Sequence, residues 1–230
     1  MPIYTPTRTR AALPAPPPDP EGFLVLVSGA ELDLHRPAPG TITASSLGWS
    51  LAQLNRFTGH ARRPYCVAEH SLLVTEILER EHGVTASSLD GAMALMAALM
   101  HDAHEAYCGD LHTPGKLAVG PAWRQFERRL EQAVHSAFAL HGAMAAHGAL
   151  IKQADLQALA TERRDLLPPA CTPWACLVGV EPLRWVRLDS PERGAMTWTD
   201  WRDAWLARLD ELDFARNYFA GFGGAAACEA

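Results

Sequence analysis

Along most of this chain apolar residues recur at helical spacing, and only near the amino terminus do they cluster and alternate in the manner of strands. Phe23-Leu24-Val25-Leu26-Val27, the turn pair Ser28-Gly29 and Glu31-Leu32-Asp33-Leu34 predict a short β-hairpin. Leu47, Leu51 and Leu54 then fall at i, i+4 and i+7, with Ser45 or Ser46 available as a cap. A second helix is expected from near Val67 to His82-Gly83, and a third from about Ser88 to Tyr107 with Gly109 as its C-cap. The third is almost wholly apolar between Ala92 and Met100, which marks it as central. Pro121 opens a fourth helix carrying Trp123, Phe126, Leu130, Val134 and Phe138, and a fifth runs from Ala146 to Leu166 before Pro168-Pro169.

The expected class is all-α, a helical bundle with one short N-terminal hairpin. Residues 1–22 hold Ala15-Pro16-Pro17-Pro18-Asp19-Pro20 and read as an extended arm, because proline has no N–H to donate. Residues 23–220 read as a single domain, with an ordered loop over 170–196. Trp198, Trp201, Trp205 and Leu209 form a helical stripe that reads as core packing, and 221–230 as a frayed tail.

A formal net charge of −6 argues against broad binding of a nucleic acid polymer or an anionic membrane, so any cationic chemistry must be local. No apolar run reaches the roughly twenty residues of a membrane span, and Arg8 and Arg10 lead into prolines rather than an apolar signal core. Cys66, Cys108, Cys171, Cys176 and Cys228 are scattered with no C-x-x-C pair, as expected of reduced thiols in a cytoplasmic protein. Cys66 and Cys108 read as packing residues.

The chemistry concentrates at Met100-His101-Asp102-Ala103-His104-Glu105, followed by Cys108-Gly109-Asp110-Leu111-His112-Thr113-Pro114. Adjacent His101 and Asp102 offer one imidazole and one carboxylate to a divalent ion, and His70 and Asp155 complete a set of two nitrogens and two oxygens drawn from three helices. On a continuous helix His101 and Glu105 would share a face, with Asp102 turned about a third of the way round. Other hydrolytic designs fail: Cys108 stands where a zincin needs its second histidine, and neither a G-x-S-x-G elbow nor a phosphate-binding glycine loop is present.

These residues, in their order, resemble the HD-domain metal-dependent phosphohydrolases, in particular the bacterial HD-domain 5′-deoxynucleotidases and related phage deoxynucleoside triphosphate hydrolases. The matching pieces are Leu54-Asn55-Arg56-Phe57, Val67-Ala68-Glu69-His70-Ser71, His101-Asp102-Ala103-His104-Glu105, Gly109-Asp110-Leu111-His112-Thr113-Pro114-Gly115-Lys116 and Lys152-Gln153-Ala154-Asp155. The resemblance implies an HD-domain bundle and one divalent ion (Mn, Co, Fe, Ni, Zn or Mg) on His70, His101, Asp102 and Asp155. It makes Glu105 the group acting on water, Asp110 a holder of the sugar or an aid to proton transfer, and Arg56 a phosphate ligand. Lys116, Arg62, Arg63 and Thr113 are further substrate-binding candidates, and Phe57 or Tyr65 could stack on a base.

The implied reaction is hydrolysis of a deoxynucleoside monophosphate to nucleoside and phosphate. The alternatives are release of triphosphate from a deoxynucleoside triphosphate, favoured if Arg62 and Arg63 face the site, and a non-catalytic metal-bound nucleotide sensor or scaffold. Expected partners are a small nucleotide and further copies of the chain, with no nucleic acid polymer and no membrane. His112 and Gly115 depart from the family pattern, which carries proline and a bulkier residue there, so the loop beside Asp110 is expected to differ in shape. His60, His104 and His112 leave open a second metal.

Overall fold

A computed structural model describes residues 22–169 and 172–225. Residues 1–21 of the proline-rich arm, Cys171 and the last five residues of the expected tail, Cys228 among them, lie outside the described residues. The chain is all-α with an antiparallel hairpin, β1 (Phe23–Val25) and β2 (Glu31–Asp33), in the register Phe23↔Asp33, Leu24↔Leu32, Val25↔Glu31. Leu32 from this hairpin is fully buried, which fixes the ribbon to the bundle.

Helix ends follow local side-chain chemistry. Helix α1 (Ala44–Leu51) starts at a reciprocal cap in which Thr43 Oγ1 accepts from Ser46 N and Ser46 Oγ accepts from Thr43 N, so the cap is Thr43 rather than Ser45 or Ser46. Helix α2 (Val67–His82) stops at Gly83, whose φ of 66° is the left-handed conformation that glycine adopts without strain. Ser88 caps α3 (Leu89–Leu99), the central rod, which packs against α2 and two later helices, α7 (His141–Leu166) and α9 (Trp198–Ala225).

The expected helix from Ser88 to Tyr107 is in fact broken. After Leu99 the chain makes tight i→i+3 turns, with Ala103 N donating to Met100 O and Glu105 N to Asp102 O, before one further turn, α4 (Glu105–Cys108). Neighbours on a helix diverge by about 100°; the break lets His101 and Asp102 converge. Two helices follow, the short α5 (Thr113–Val119), which the sequence pattern did not predict, and the 17-residue α6 (Pro121–Ala137). Helix α7 begins five residues earlier than expected, at His141, and α9 carries on through Ala225 across part of the expected frayed tail. Trp201, Trp205, Leu209 and Leu212 of α9 are buried, whereas Trp198 stays partly exposed against Trp49.

Between α7 and α9 the described part of the 170–196 segment, which includes the short α8 (Pro191–Ala195), forms a strap. It buries Leu183, Val186 and Leu188, and its backbone is tied to α7: Leu183 N donates to Thr161 Oγ1 (2.9 Å) and Leu188 N to Asp165 Oδ2 (2.8 Å). Its Arg193 Nη1 donates to Glu69 on α2 at 2.9 Å. Glu69 is wholly buried and also takes both terminal nitrogens of Arg63 at 2.7 and 2.8 Å, so one carboxylate joins two arginines across the strap. The strap thereby holds α2 one residue before His70. No helix among the described residues is long and apolar enough to cross a membrane.

Candidate metal centre

Three elements bring the proposed ligands together. His70 sits in the first turn of α2, His101 and Asp102 in the break after α3, and Asp155 on α7. His70 Nε2 lies 3.3 Å from His101 Nε2, 3.3 Å from Asp155 Oδ1 and 3.6 Å from Asp102 Oδ2, and His101 Nε2 lies 3.2 Å from that same Asp102 oxygen.

The outer nitrogens are committed elsewhere. His70 Nδ1 donates to Glu162 Oε1 at 2.6 Å, and His101 Nδ1 donates to the Ala98 carbonyl at 2.8 Å. Both rings are therefore oriented with Nε2 inward, the tautomer that presents a lone pair to a cation. His70 Nε2, His101 Nε2 and the Asp102 carboxylate lie close enough together to hold one ion, and Asp155 Oδ1 adjoins this group through its contact with His70 Nε2.

The electrostatics agree. Burial and the Arg56 charge oppose protonation of His70, yet Glu162 and Asp155 raise it to about 9. Burial also works against ionisation of Asp102 and Asp155; the imidazoles override it, holding Asp102 well below the usual carboxylate range and lowering Asp155 as well. The spot favours positive charge, and the donor set fits a divalent transition ion.

Glu162 is the residue that sequence reasoning missed. It follows Asp155 by seven positions on α7, two helical turns, and so shares its face. Besides orienting His70 it accepts from Arg56 Nη2 at 3.2 Å, while Arg56 Nη1 reaches Asp102 at 3.4 Å. Arg56 Nε is buried without a partner among the described residues.

Glu105 lies at the start of α4 with Oε2 buried and unpartnered among the described residues. Burial, reinforced by the Asp102 and Asp110 charges, pushes its carboxyl well above the usual range, with Arg56 and Lys116 pulling the other way. Lys116 Nζ on α5 stands 3.9 Å from Glu105 and 2.6 Å from Glu127, and Glu127 also meets His104 Nε2 at 3.6 Å. His104, Glu105 and Glu127 form a second cluster with metal-like spacing. The Lys116 ammonium already supplies the cation there. Glu127, on α6, gave no signal in the sequence.

Asp110 is half-buried, its carboxyl raised by burial against the opposing charge of Arg56. Thr113 is exposed at the start of α5. His112 caps that helix, its Nδ1 accepting from Gly115 N at 3.0 Å, and a Cβ added at Gly115 would stand 2.6 Å from Leu111 Cδ1. The two departures from the family pattern thus belong together: the histidine cap draws the loop in tightly and glycine makes room. His60 and His112 are exposed and in neither metal-like cluster. Tyr65 is buried beneath the Arg63 guanidinium, with its ring 5.4 Å away, and offers no face to a base; Phe57 is half-buried.

Arg63 is turned to Glu69, and exposed Arg62 lines a separate cavity on another face of α7. Of the four basic candidates, the structure brings Arg56 and Lys116 to the cluster and directs Arg62 and Arg63 away from it.

The fold and cluster define an all-helical protein with a candidate divalent-metal centre, compatible with an HD-type hydrolase. No established family model matches the chain. It is 30% identical over 158 residues to the uncharacterized protein YfdR of Escherichia coli (strain K12), a match covering 69% of this chain and 80% of that protein. The chain belongs to the YfdR family. It is also 39% identical over 118 residues to the uncharacterized protein RCAP_rcc00048 of Rhodobacter capsulatus, spanning 50% of this chain and 57% of that protein.

Proposed function

We propose that this protein is a cytoplasmic, divalent-metal-dependent phosphohydrolase of the HD-domain type that cleaves the 5′ phosphate ester of deoxynucleoside monophosphates. The observation that supports the reading is the grouping of His70, His101 and Asp102, with Asp155 against His70, near Glu105, whose buried Oε2 has no partner among the described residues. A divalent ion held by these four ligands would supply Lewis acidity at a phosphoryl oxygen and acidify water.

The remaining work falls to the chain's own groups. Glu105, made more basic by burial and by Asp102 and Asp110, is suited to accept a proton from the attacking water on its free oxygen. Arg56 and Lys116 face the same space and neutralise phosphate charge, Arg56 through a planar fork and Lys116 as a point charge. Asp110 and Thr113 border the substrate from the loop before α5. Two cations suit one phosphate better than three, and with Arg63 engaged by Glu69 and Arg62 turned to a separate cavity this supports the monophosphate over the triphosphate.

The test is a panel of nucleotides with each divalent metal, resolved by chromatography. Deoxynucleoside and inorganic phosphate are expected from a monophosphate, with activity abolished by a chelator and in Asp102→Ala. Intact triphosphate from dATP, with dAMP untouched, would move the assignment to triphosphate release. Full metal occupancy with no turnover on any nucleotide would favour a sensor or scaffold.

A further inference from the structure

Arg62 points away from the metal centre into an open cavity of about 430 Å³ between the C-terminal end of α7 and the strap. One side is cationic. Arg62 has no side-chain partner among the described residues, and Arg163 spends only Nη2, on the Thr172 carbonyl at 2.8 Å, while its guanidinium stacks on Trp174 at 5.0 Å. Arg164, the third arginine of the lining, is fully used: it grips both oxygens of Asp165 and the carbonyls of Leu183 and Val186, which cancels its charge and anchors the strap. The other wall is apolar, built from Leu167 and Pro168 on the helix side and Leu177 and Val180 on the strap side.

Two guanidinium groups with unspent donors opposite an apolar wall form an amphipathic receptor. The donors match the oxygens of a dianionic phosphate, since planar N–H forks bind such oxygens in pairs. The wall matches a flat ring, and the volume falls within the usual range for small-molecule sites. Among the described residues no carboxylate lines the cavity to compete for the arginines.

We propose that this cavity is a second ligand site, distinct from the metal centre, that binds a small organic phosphate through Arg62 and Arg163 with its ring against Leu177 and Val180. The site does not depend on the hydrolytic activity. Its occupant rests on the helix whose other face supplies Asp155 and Glu162.

Phenylphosphonate, which carries a ring and a dianion but cannot be hydrolysed at its P–C bond, is the probe. It is titrated into the full, metal-loaded chain while the methyl NMR signals of Leu177 and Val180 are followed. Saturable shifts at these methyls are expected, with affinity falling at least tenfold in the Arg62→Ala/Arg163→Ala double variant. Leu177→Glu, which places a negative charge on the wall and leaves both arginines, should have the same effect without disturbing the Arg163–Trp174 stack. Inorganic phosphate should bind at least tenfold more weakly than the probe; equal affinity would overturn the role of the apolar wall. Shifts absent at millimolar probe, or unchanged in both variants, would overturn the site itself.

Discussion

The Nδ1 of His70 lies 2.6 Å from Oε1 of Glu162, a wholly buried contact between the first turn of α2 and the last third of α7. It fixes which nitrogen His70 presents inward, and it links that ring to Arg56 through the second carboxylate oxygen. A carboxylate behind a metal-binding imidazole both orients the ring and raises its basicity. Glu162→Gln keeps the shape and removes the charge, so metal affinity should fall about 10- to 100-fold. Titration of the metal-stripped protein measures this directly; unchanged affinity would leave Glu162 a packing residue.

Glu105 presents the opposite balance, since its environment disfavours the charge it needs. It is buried beside Asp102 and Asp110 with one oxygen unpartnered among the described residues. Glu105→Gln should therefore unfold at a higher temperature than the wild type, while hydrolysis falls by about two orders of magnitude or more and metal content is unchanged. Loss of the metal from that variant would instead make Glu105 a ligand.

The Glu69 carboxylate joins Arg63 and Arg193 with no solvent access. Glu69→Ala leaves two guanidinium groups without their anion, and breaking a buried pair costs about 3–5 kcal/mol. Urea unfolding should show a loss of that size. Limited proteolysis should cut first in the strap near Arg193, because its tie to Glu69 is lost while Trp185 stays held to Glu81 and Arg80 of α2.

His135 on α6 sets a pH dependence away from the metal ligands. Burial, with the His141 and His104 rings nearby, lowers it to about 4. The folded state thus binds fewer protons than the unfolded chain between the ordinary imidazole value and about 4. The neutral ring's contribution is complete above that ordinary value and is lost as pH falls through this window. At about 1.4 kcal/mol per unit, reduced for partial burial, the loss is on the order of 2 kcal/mol. Denaturation midpoints of the wild type and His135→Gln should diverge between pH 7 and pH 4, with the variant showing the shallower decline.

Helix ends were legible where local chemistry sets them. Gly83, Ser88 and Pro121 act through backbone conformation or a cap within a few residues, and each bounds its helix as the pattern predicts. The break after Leu99 was not legible, because Met100, Ala103 and Tyr107 keep apolar spacing through it and all three are buried. Helix α5 was hidden by its length of seven residues and by Pro114 and Gly115 within it. The extension of α9 to Ala225 crosses glycines that disfavour helix, but adding a turn to a long packed helix is easier than starting one.

By itself the sequence determined the helical class, most helix starts and the His and Asp residues that the structure groups with metal-like spacing, because periodicity, caps and ligand chemistry are properties of short stretches. Tertiary structure alone decided that Glu162 stands behind His70, that Lys116 is held by Glu127, and that Arg62 and Arg63 turn away from the metal centre. Each of these is a pairing between charges on different helices or a choice of direction for a loop. Such pairings depend on which helix faces are packed together, and no local pattern encodes that.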